Sequence, residues 1–410
     1  MFTLEDYRWL TSPSGRRAWE QVHLQTSPVS LNSIKKLTSG DESHARLLME
    51  QLRIAEGNAR KKFTEPHRWF WTQQLFEQSS DEQVAQDTAL DFPPQQEVVD
   101  GCCGAGADSV ALCTKSRPTL SIDVDQIACT LTQANLQSHG ATPSVLCGPI
   151  ESAPLPERFH LHVDPDRRST GSRTIQPEHM APAWSALSPI IAKSESCSLK
   201  LAPGLKFPHH LEWGPSGPPS TLRWISRQGT VRQQRWYWRV ERWPENAIVT
   251  SCMTRQGDWH HEVFASEQSA SHAGAIDPNS NLKNVFIADQ DPVLRAANVV
   301  SHFALRIDAS LLGGESGYYL ADQPQFHPML SWFKIDDVLP FDRKKLRAYA
   351  RVRKAKNWEL KSRGVDIDLD KTAKELETNR SSEERVTILF TRHGTKHLAI
   401  VATRIDEHAH

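Results

Sequence analysis

A turn rich in glycine, between a predicted strand and a predicted helix, constrains the fold more than any other feature of the sequence. The stretch VVDGCCGAGADS occupies residues 98–109. Gly104 and Gly106 let the backbone approach a ligand closely, and the start of the following helix offers N–H groups that have no helical partner. We therefore expect a ligand-binding site at this turn.

Short apolar segments alternate with helix-length segments after this point. The predicted strands cover residues 98–101, 120–125, 144–148 and 159–164. Such alternation is typical of βαβ units and a parallel sheet. The sequence therefore predicts an α/β fold, a Rossmann-like sheet with an N-terminal helical extension and a C-terminal α+β module.

The chain has 410 residues, which is long enough for several domains. Apolar spacing in the first part is helical, and a small polar stretch at 269–281 indicates a linker. The expected segments are a helical extension (1–95), the Rossmann-like domain (96–270), a small ferredoxin-like α/β module (276–335) and a basic module (336–410).

Acidic residues end three of the predicted strands, at Asp100, Asp123 and Asp164. A carboxylate beside the turn would repel a pyrophosphate but attract a sulfonium or ammonium group. Asp123 is placed to accept hydrogen bonds from both hydroxyls of a ribose. Ser109 also stands where a dinucleotide fingerprint would have its third glycine. The pattern favours S-adenosylmethionine over NAD, and a glycine turn that serves only packing is the alternative.

The segment HVDPDRR, residues 162–168, is predicted to face the acceptor. Asp164 and the carbonyl of Pro165 could accept protons from an amine, while Arg167 and Arg168 could orient the acceptor or its phosphate. The segment lacks an aromatic residue for stacking, which Trp184 or a later hairpin could supply. An ion-paired structural turn is the other interpretation.

Positive charge is concentrated near the C-terminus although the formal net charge is −1. Residues 343–363 contain ten Lys or Arg and one acid, Glu359. This asymmetry favours a surface for a polyanion over a merely solvated helix. The candidate RNA contacts are Arg353, Lys354, Lys356, Lys361 and Arg363.

A second candidate is the predicted hairpin RWISRQGTVRQQRWYWRVERW at 223–243, in which Arg and aromatic residues are interleaved. Interleaved Arg and Trp side chains suit unpaired bases, which stack on them. They equally suit a hairpin that buries one aromatic face. The sequence leaves both interpretations open.

The segment DGCCGAG resembles the first motif of class I S-adenosylmethionine-dependent methyltransferases, with Cys102 in place of the first glycine. The resemblance implies that Asp100, Gly104 and Gly106 line the methionine part of the cofactor, with Gly101 in the same set, and that Asp123 binds the ribose. The third strand, LCGPIES, has no acid beside Gly148, so the adenine contacts stay unassigned.

The order of further motifs resembles a bacterial methyltransferase group with a THUMP-like C-terminal domain. These motifs include KKFTEPHRWFWTQQLFEQSSDEQVA, DPDRR, KLAPGLKF and ILFTRHGTKHLAIVATR. The N-terminal part is also distantly similar to trimethylguanosine-synthase-like enzymes. That similarity implies that the segment Gln78-Ser79-Ser80 lies near the cofactor, with Ser79 as the candidate contact. THUMP-type domains are associated with RNA, so the resemblance implies RNA modification.

Other features of the sequence argue against a membrane protein, a secreted protein and a metal-binding protein. No apolar run of 18 residues occurs, and MFTLEDYRWLTS has no signal-peptide pattern, so we expect no membrane contact. Seven cysteines, an odd number, indicate reduced thiols and a cytoplasmic protein. The chain has no CxxC pair, and HHE at 260–262 is not the HExxH spacing, so no metal is expected.

These features together predict an S-adenosylmethionine-dependent methyltransferase that acts on a base in structured RNA, either rRNA or tRNA. One alternative is a non-catalytic RNA-binding protein that retains the fold. Another is a methyltransferase that acts on a small molecule or a protein. The oligomeric state is open.

Overall fold

A computed structural model describes residues 2–24, 29–166, 179–204, 220–265, 282, 285–314, 317–353, 357–376 and 385–405. The chain forms two compact units. Unit 1 comprises Met1–Arg223 and Arg232–Ala247, and unit 2 comprises Trp224–Val231 and Ile248–His410.

In the described part of the chain, seven α-helices precede the first strand of unit 1. They are α1 (Leu4–Thr11), α2 (Pro13–His23), α3 (Leu31–Leu37), α4 (Glu42–Glu56), α5 (Ala59–Lys62), α6 (Gln73–Gln78) and α7 (Glu82–Thr88). Six of the seven begin after a side chain that accepts a hydrogen bond from the first turn, which stabilises a helix start. The capping residues are Thr3, Ser12, Ser30, Asp41, Thr72 and Asp81.

The predicted parallel sheet follows, with helices between its strands. Its elements are β1 (Val98–Gly101), α8 (Ala107–Thr114), β2 (Thr119–Asp123), α9 (Gln126–Ser138), β3 (Val145–Cys147), β4 (His160–Val163), α10 (Trp184–Lys193) and β5 (Cys197–Leu201). Short 3-10 helices lie at Pro66–Arg68, Ala89–Asp91 and Ile150–Ser152. The strand order is β3-β2-β1-β4-β5, and all of these neighbours are parallel. The α/β fold class is therefore confirmed.

The helical extension and the sheet share a hydrophobic core. Trp19, Leu48 and Trp71 of the extension belong to the same buried cluster as Leu131 and Leu136 of α9. Burial of this apolar surface holds the extension against the α9 side of the sheet.

The predicted Arg/Trp hairpin is formed by β6 (Ser220–Arg227) and β7 (Thr230–Trp238). Strand β7 pairs antiparallel with β5, and Trp236 and Trp238 are buried. Arg223 and Arg235 have no exposed surface. The hairpin therefore buries these residues within unit 1, as expected for a structural role.

Two buried acids offset the charge of this hairpin. Asp87 forms ion pairs with Arg223 and Arg242, and Asp91 accepts a hydrogen bond from Tyr237 at 2.7 Å. Burial by itself raises the pKa of the Asp87 carboxyl, but the two arginines outweigh burial and lower it. Buried charges persist because each has a partner of opposite sign.

Unit 2 contains the remaining elements. They are β8 (Ala247–Met253), β9 (Trp259–Ala265), β10 (Phe286–Gln290), α11 (Pro292–Ala296), α12 (Val300–Arg306), β11 (Ser310–Leu312), β12 (Tyr318–Ala321), β13 (Leu330–Pro340), α13 (Arg343–Arg353), β14 (Asn357–Ser362), α14 (Leu369–Leu376), β15 (Arg385–His393) and β16 (Lys396–Arg404). Among the described residues of unit 2, seven strands form one sheet in the order β11-β12-β10-β13-β16-β15-β14.

The predicted division of this region, between residues 335 and 336, lies inside β13. That strand pairs with β10 on one side and with β16 on the other. Residues of both predicted modules therefore share a single sheet. Helix α13, the predicted basic helix, packs Leu346 and Ala350 against this sheet and exposes most of its charged residues.

Candidate active site

The candidate residues of unit 1 lie where the parallel strands end. Gly101 ends β1, Asp123 ends β2, and Asp164 directly follows β4. Asp100 pairs in register with Ser121 of β2 and His162 of β4, so the three strand ends are aligned. Ligands of parallel α/β sheets bind at this carboxyl edge.

The turn after β1 has a left-handed backbone at three positions. The φ angles are 60° at Cys102, 57° at Gly104 and 81° at Gly106. A Cβ atom at Gly106 would lie 2.9 Å from Thr132 Cγ2, so only glycine fits there. A Cβ atom at Gly104 would meet only Leu75 Cδ2, at 3.8 Å, so this backbone has open space beside it. The turn therefore offers room for a ligand at Gly104.

Asp123 is hydrogen-bonded to the same turn. Its Oδ2 accepts from the Gly104 N–H at 2.9 Å, and its Oδ1 accepts from the Asp125 N–H at 2.9 Å. Burial raises the pKa of the Asp123 carboxyl, while the backbone N–H groups oppose that shift. Val124, the next residue, has 69% of its surface exposed. Asp123 thus sits at the edge of the sheet with its carboxylate already oriented.

Asp100 and Gly101 are buried. Asp100 is 1% exposed and accepts a hydrogen bond from Ser109 Oγ. Its Oδ1 lies 3.7 Å from His162 Nε2 and has no hydrogen-bond partner in the part of the chain that the structure describes. Burial raises the pKa of Asp100 to about 6, although the nearby His162 acts to lower it. At Gly101, a Cβ atom would lie 2.5 Å from Ile150 Cδ1, so close packing requires this glycine.

Buried polar side chains surround Asp100, and we call His162, Asp108, Ser198 and Arg235 together with Asp100 the buried group. Arg235 donates to His162 Nδ1 at 3.0 Å and to Ser198 Oγ at 2.9 Å, so a neutral His162 carries its proton on Nε2. Asp108 lies 3.4 Å from Arg235 Nη2. Burial raises the pKa of Asp108, but His162, Lys200 and Arg235 outweigh it and hold that pKa far below its usual range.

Asp164 forms an ion pair with a buried lysine. Lys200 Nζ donates to Asp164 Oδ2 at 2.5 Å and to Ser80 Oγ at 3.0 Å. Ser80 in turn donates to Asp108 Oδ2 at 2.6 Å. Pro165 is buried beside Asp164. These contacts join the start of α7, the start of α8, β5 and the segment after β4.

The loop that follows Asp164 has both of its described ends bonded together. The backbone of Asp166 pairs with Ala181 through two hydrogen bonds of 2.9 Å, and Gln78 donates to Asp166 Oδ1 at 3.3 Å. Arg167 and Arg168, which were predicted to orient the acceptor, lie outside the described residues. Trp184, at the start of α10, packs edge to face against Trp236.

The segment Gln78-Ser79-Ser80 lies beside this site, but Ser79 itself makes a local contact. Ser79 Oγ donates to the Phe76 carbonyl at 2.7 Å, whereas Ser80 and Gln78 contact the residues described above. Lys62 donates to the carbonyls of Phe76, Glu77 and Ser79 and so fixes the end of α6.

Sequence reasoning did not identify Lys200 or Lys62 as site residues. For Lys200 a signal existed, because a lysine within the apolar strand CSLKL needs a buried partner. For Lys62 no such signal existed, because the sequence ARKK does not distinguish it from the basic residues beside it.

Three of the predicted RNA contacts have acidic partners in unit 2. Lys361 and Arg363 both bind Asp289, at 2.8 and 2.9 Å. Arg353 lies 3.8 Å from Asp336. Lys354 and Lys356 lie outside the described residues. The exposed basic side chains of α13 are Arg343, Lys344, Lys345, Arg347 and Arg351.

A group of potential metal ligands occurs in unit 2, formed by His260, Glu262 and His327. His327 Nδ1 accepts the Met329 N–H at 3.1 Å, which leaves the proton of a neutral ring on Nε2. That Nε2 lies 3.1 Å from Glu262 Oε1, and Arg306 also binds Glu262. The His327 hydrogen bond lowers the pKa of Glu262 to about 2, with burial opposing it. The three side chains form a hydrogen-bonded cluster around the Glu262 carboxylate.

Part of unit 2 matches a known domain family. Residues 330–404 match the family described as THUMP domain-like. The chain contains a THUMP-like segment. This match confirms the C-terminal module predicted from the order of the motifs.

The whole chain is also similar to known proteins. An uncharacterized S-adenosylmethionine-dependent methyltransferase, present in two strains of Mycobacterium tuberculosis, is 24% identical over 340 residues, 82% of this chain and 85% of the relative. A protein presumed to be a methyltransferase, from Porphyromonas gingivalis W83, shares the fold with a TM-score of 0.73 at 14% identity, over 99% of this chain and 100% of that one. These findings confirm the predicted resemblance and fold.

Among the described helices, none combines the length and the apolar character needed to cross a membrane.

The left-handed backbone at Cys102 leads to a stability prediction. Glycine adopts this conformation more readily than alanine does, so we expect Cys102→Gly to be more stable than Cys102→Ala by about 1 kcal/mol. Urea unfolding of both variants measures the difference. Cys113, in helix α8, is the matched control: there Ala should be more stable than Gly. An equal or reversed order at Cys102 would contradict the prediction.

The buried Asp100 carboxyl predicts a pH-dependent stability. Its pKa is about 6 in the folded state and 3.8 in the unfolded reference, so its contribution is complete below the lower value and is lost as pH rises through the higher one. The Asn side chain of Asp100→Asn stays neutral at every pH. The unfolding free energy of this variant, relative to that of the wild type, should therefore increase by roughly 3 kcal/mol between about pH 4 and pH 7. Exposed Glu157→Gln is the control and should show no such gain. A pH-independent difference for Asp100→Asn would refute the buried carboxyl as its source.

Proposed function

We propose that this chain is a cytoplasmic S-adenosylmethionine-dependent methyltransferase that methylates a base in structured RNA, either rRNA or tRNA. The observation that carries this proposal is the hydrogen bond between Asp123 and Gly104 at the carboxyl edge of the parallel sheet. It joins the acid that we propose for ribose binding to an open glycine turn. Asp164 follows the neighbouring strand β4 at the same edge.

The described residues suit the cofactor. In this proposal Asp123 accepts hydrogen bonds from the ribose hydroxyls, and the backbone of Gly104 and Gly106 borders the methionine part. Asp100 is buried behind the turn, where its charge favours a sulfonium or an ammonium group without direct exposure. Gly101 supports the turn by packing against Ile150. Ser79 stays the candidate contact from the N-terminal segment.

Methyl transfer asks the protein mainly to align the acceptor with the cofactor. S-adenosylmethionine supplies an electrophilic methyl group on a sulfonium, so no protein nucleophile is required. Asp164 and the Pro165 carbonyl would accept hydrogen bonds from the acceptor, and the Asp164 carboxylate would take up the proton that the acceptor loses. Arg167 and Arg168 would orient the acceptor or its phosphate through planar, permanently charged groups.

RNA as the acceptor is supported by the THUMP-like segment and by the basic side chains of unit 2. Arg353, Lys354, Lys356, Lys361 and Arg363 remain the proposed contacts. Because Lys361 and Arg363 share Asp289, we add the exposed Lys344 and Lys345 of α13 to this surface. Contacts of this kind are phosphate contacts, which position RNA without reading its sequence.

The domain boundaries at 95, 270 and 335 also remain proposals.

Cofactor binding is the first test. In titration calorimetry, S-adenosylmethionine should bind the wild type, and Asp123→Ala should bind it at least about 10-fold more weakly, because hydrogen bonds to a charged acceptor are lost. Asp123→Asn should fall between them, and the exposed Glu157→Ala should match the wild type. No binding by the wild type would favour the non-catalytic RNA-binding alternative.

The acceptor is tested in cells. Mass spectrometry of nucleosides from rRNA and tRNA should show one methylated nucleoside that disappears when the gene is deleted. Wild-type protein should restore it, and Asp164→Ala should not, although cofactor affinity stays within several-fold. Lys193→Met, on the exposed end of α10, is the control and should restore it. Cofactor binding with an unchanged nucleoside profile would point to a small molecule or a protein as the acceptor.

A further inference from the structure

A lysine is buried in the central sheet of unit 1. All five residues of β5 are buried, and the Lys200 side chain has 6% of its surface exposed. A buried ammonium group is costly unless it is paired and hydrogen-bonded. Lys200 is also directly opposite Arg235 of β7 in the register of the sheet, so two cationic residues are neighbours. The fold retains both only because acids lie beside them.

The contacts of Lys200 lead to both halves of the candidate site. Its ammonium donates to Asp164 Oδ2 on the acceptor side. It also donates to Ser80 Oγ, which donates to Asp108 in the first turn of α8, the helix that follows the glycine turn. A single side chain therefore connects the predicted acceptor-binding acid to the helix that carries the cofactor turn.

The ion pair also determines which oxygen of Asp164 is available. Oδ2 is held by Lys200, and no hydrogen bond to Oδ1 occurs among the residues that the structure describes. The Asp164 side chain has 23% of its surface exposed, so one oxygen can be reached from solvent. An ionised carboxylate only accepts hydrogen bonds. With Oδ2 occupied, Asp164 presents a single oriented acceptor.

We propose that Lys200 is a positioning residue for methyl transfer, which holds Asp164 so that its free oxygen accepts a hydrogen bond from the acceptor's N–H group. This inference rests on the proposed function. Lys200 acts through Asp164 and does not touch the cofactor or the acceptor. Its removal frees the carboxylate to rotate and leaves the acceptor misaligned, an effect that lowers the rate of transfer rather than cofactor affinity.

The test is a double-mutant cycle of Lys200→Met and Asp164→Asn, with Lys193→Met as the matched control on an exposed lysine of the same unit. Methyl transfer is measured with methyl-labelled S-adenosylmethionine and total RNA from a strain that lacks the gene. Lys200→Met should lower kcat at least about 10-fold while the KM for S-adenosylmethionine changes less than about 3-fold. In the Asp164→Asn background, Lys200→Met should change kcat less than about 3-fold.

Two outcomes of the kinetic cycle would overturn the proposal. One is an equal fold-loss from Lys200→Met in both backgrounds, because Lys200 would then act independently of Asp164. The other is a parallel loss of kcat and of cofactor affinity, which a general structural defect would cause. Lys193→Met should leave both quantities unchanged.

A thermal cycle on the same variants separates this proposal from the proposed function. Lys200→Met should lower the unfolding midpoint by different amounts in the wild-type and Asp164→Asn backgrounds, since the two groups are paired. Equal shifts would refute the pairing, and with it the positioning role, whether or not transfer occurs. A wild type that shows this coupling but transfers no methyl group to any RNA would instead refute the proposed function and leave a structural ion pair.

Discussion

The charge balance behind the carboxyl edge of the parallel sheet is the constraint on which the candidate site depends. The strands place Asp100 and Asp164 at one edge, and α8 adds Asp108 beside them. Carboxylates this close cannot all stay ionised in a buried region without cations. Lys200 of β5 and Arg235 of β7 supply those cations. Burial raises the pKa of the Asp100 carboxyl, and the nearby His162 offsets that shift only in part.

The antiparallel hairpin therefore has an electrostatic role in unit 1. Strand β7 pairs with β5 and so brings Arg235 to the buried group. Arg223, on the other strand of the hairpin, forms an ion pair with Asp87 of the helical extension. Arg223 and Arg235 form ion pairs within the fold, so these two side chains have a structural role. The basic side chains of α13 in unit 2 are exposed instead, at Arg343, Lys344, Lys345, Arg347 and Arg351.

Much of this organisation could be predicted because it is encoded locally. Alternation of apolar strands with helical segments predicts a parallel sheet from short-range patterns alone. The glycine turn likewise predicts a backbone that a ligand can approach closely, and the structure has open space beside the left-handed backbone at Gly104. Cys102, which is no glycine, also has a left-handed backbone in this turn. The Asp123 contact with Gly104 follows from two adjacent strand ends.

The sequence by itself determined the α/β fold, the glycine turn and the acids at the strand ends, since each depends on residues close together along the chain. Only the tertiary structure decided that Ser80 rather than Ser79 contacts the buried group, and that Lys200 pairs with Asp164. Lys200 and Ser80 are 120 positions apart in the chain. No local pattern encodes such a contact, because it forms only when β5 and the start of α7 pack against the same strand ends. Burial of Asp100 has the same origin, since α8 and β4 close over a carboxyl that its strand would otherwise expose.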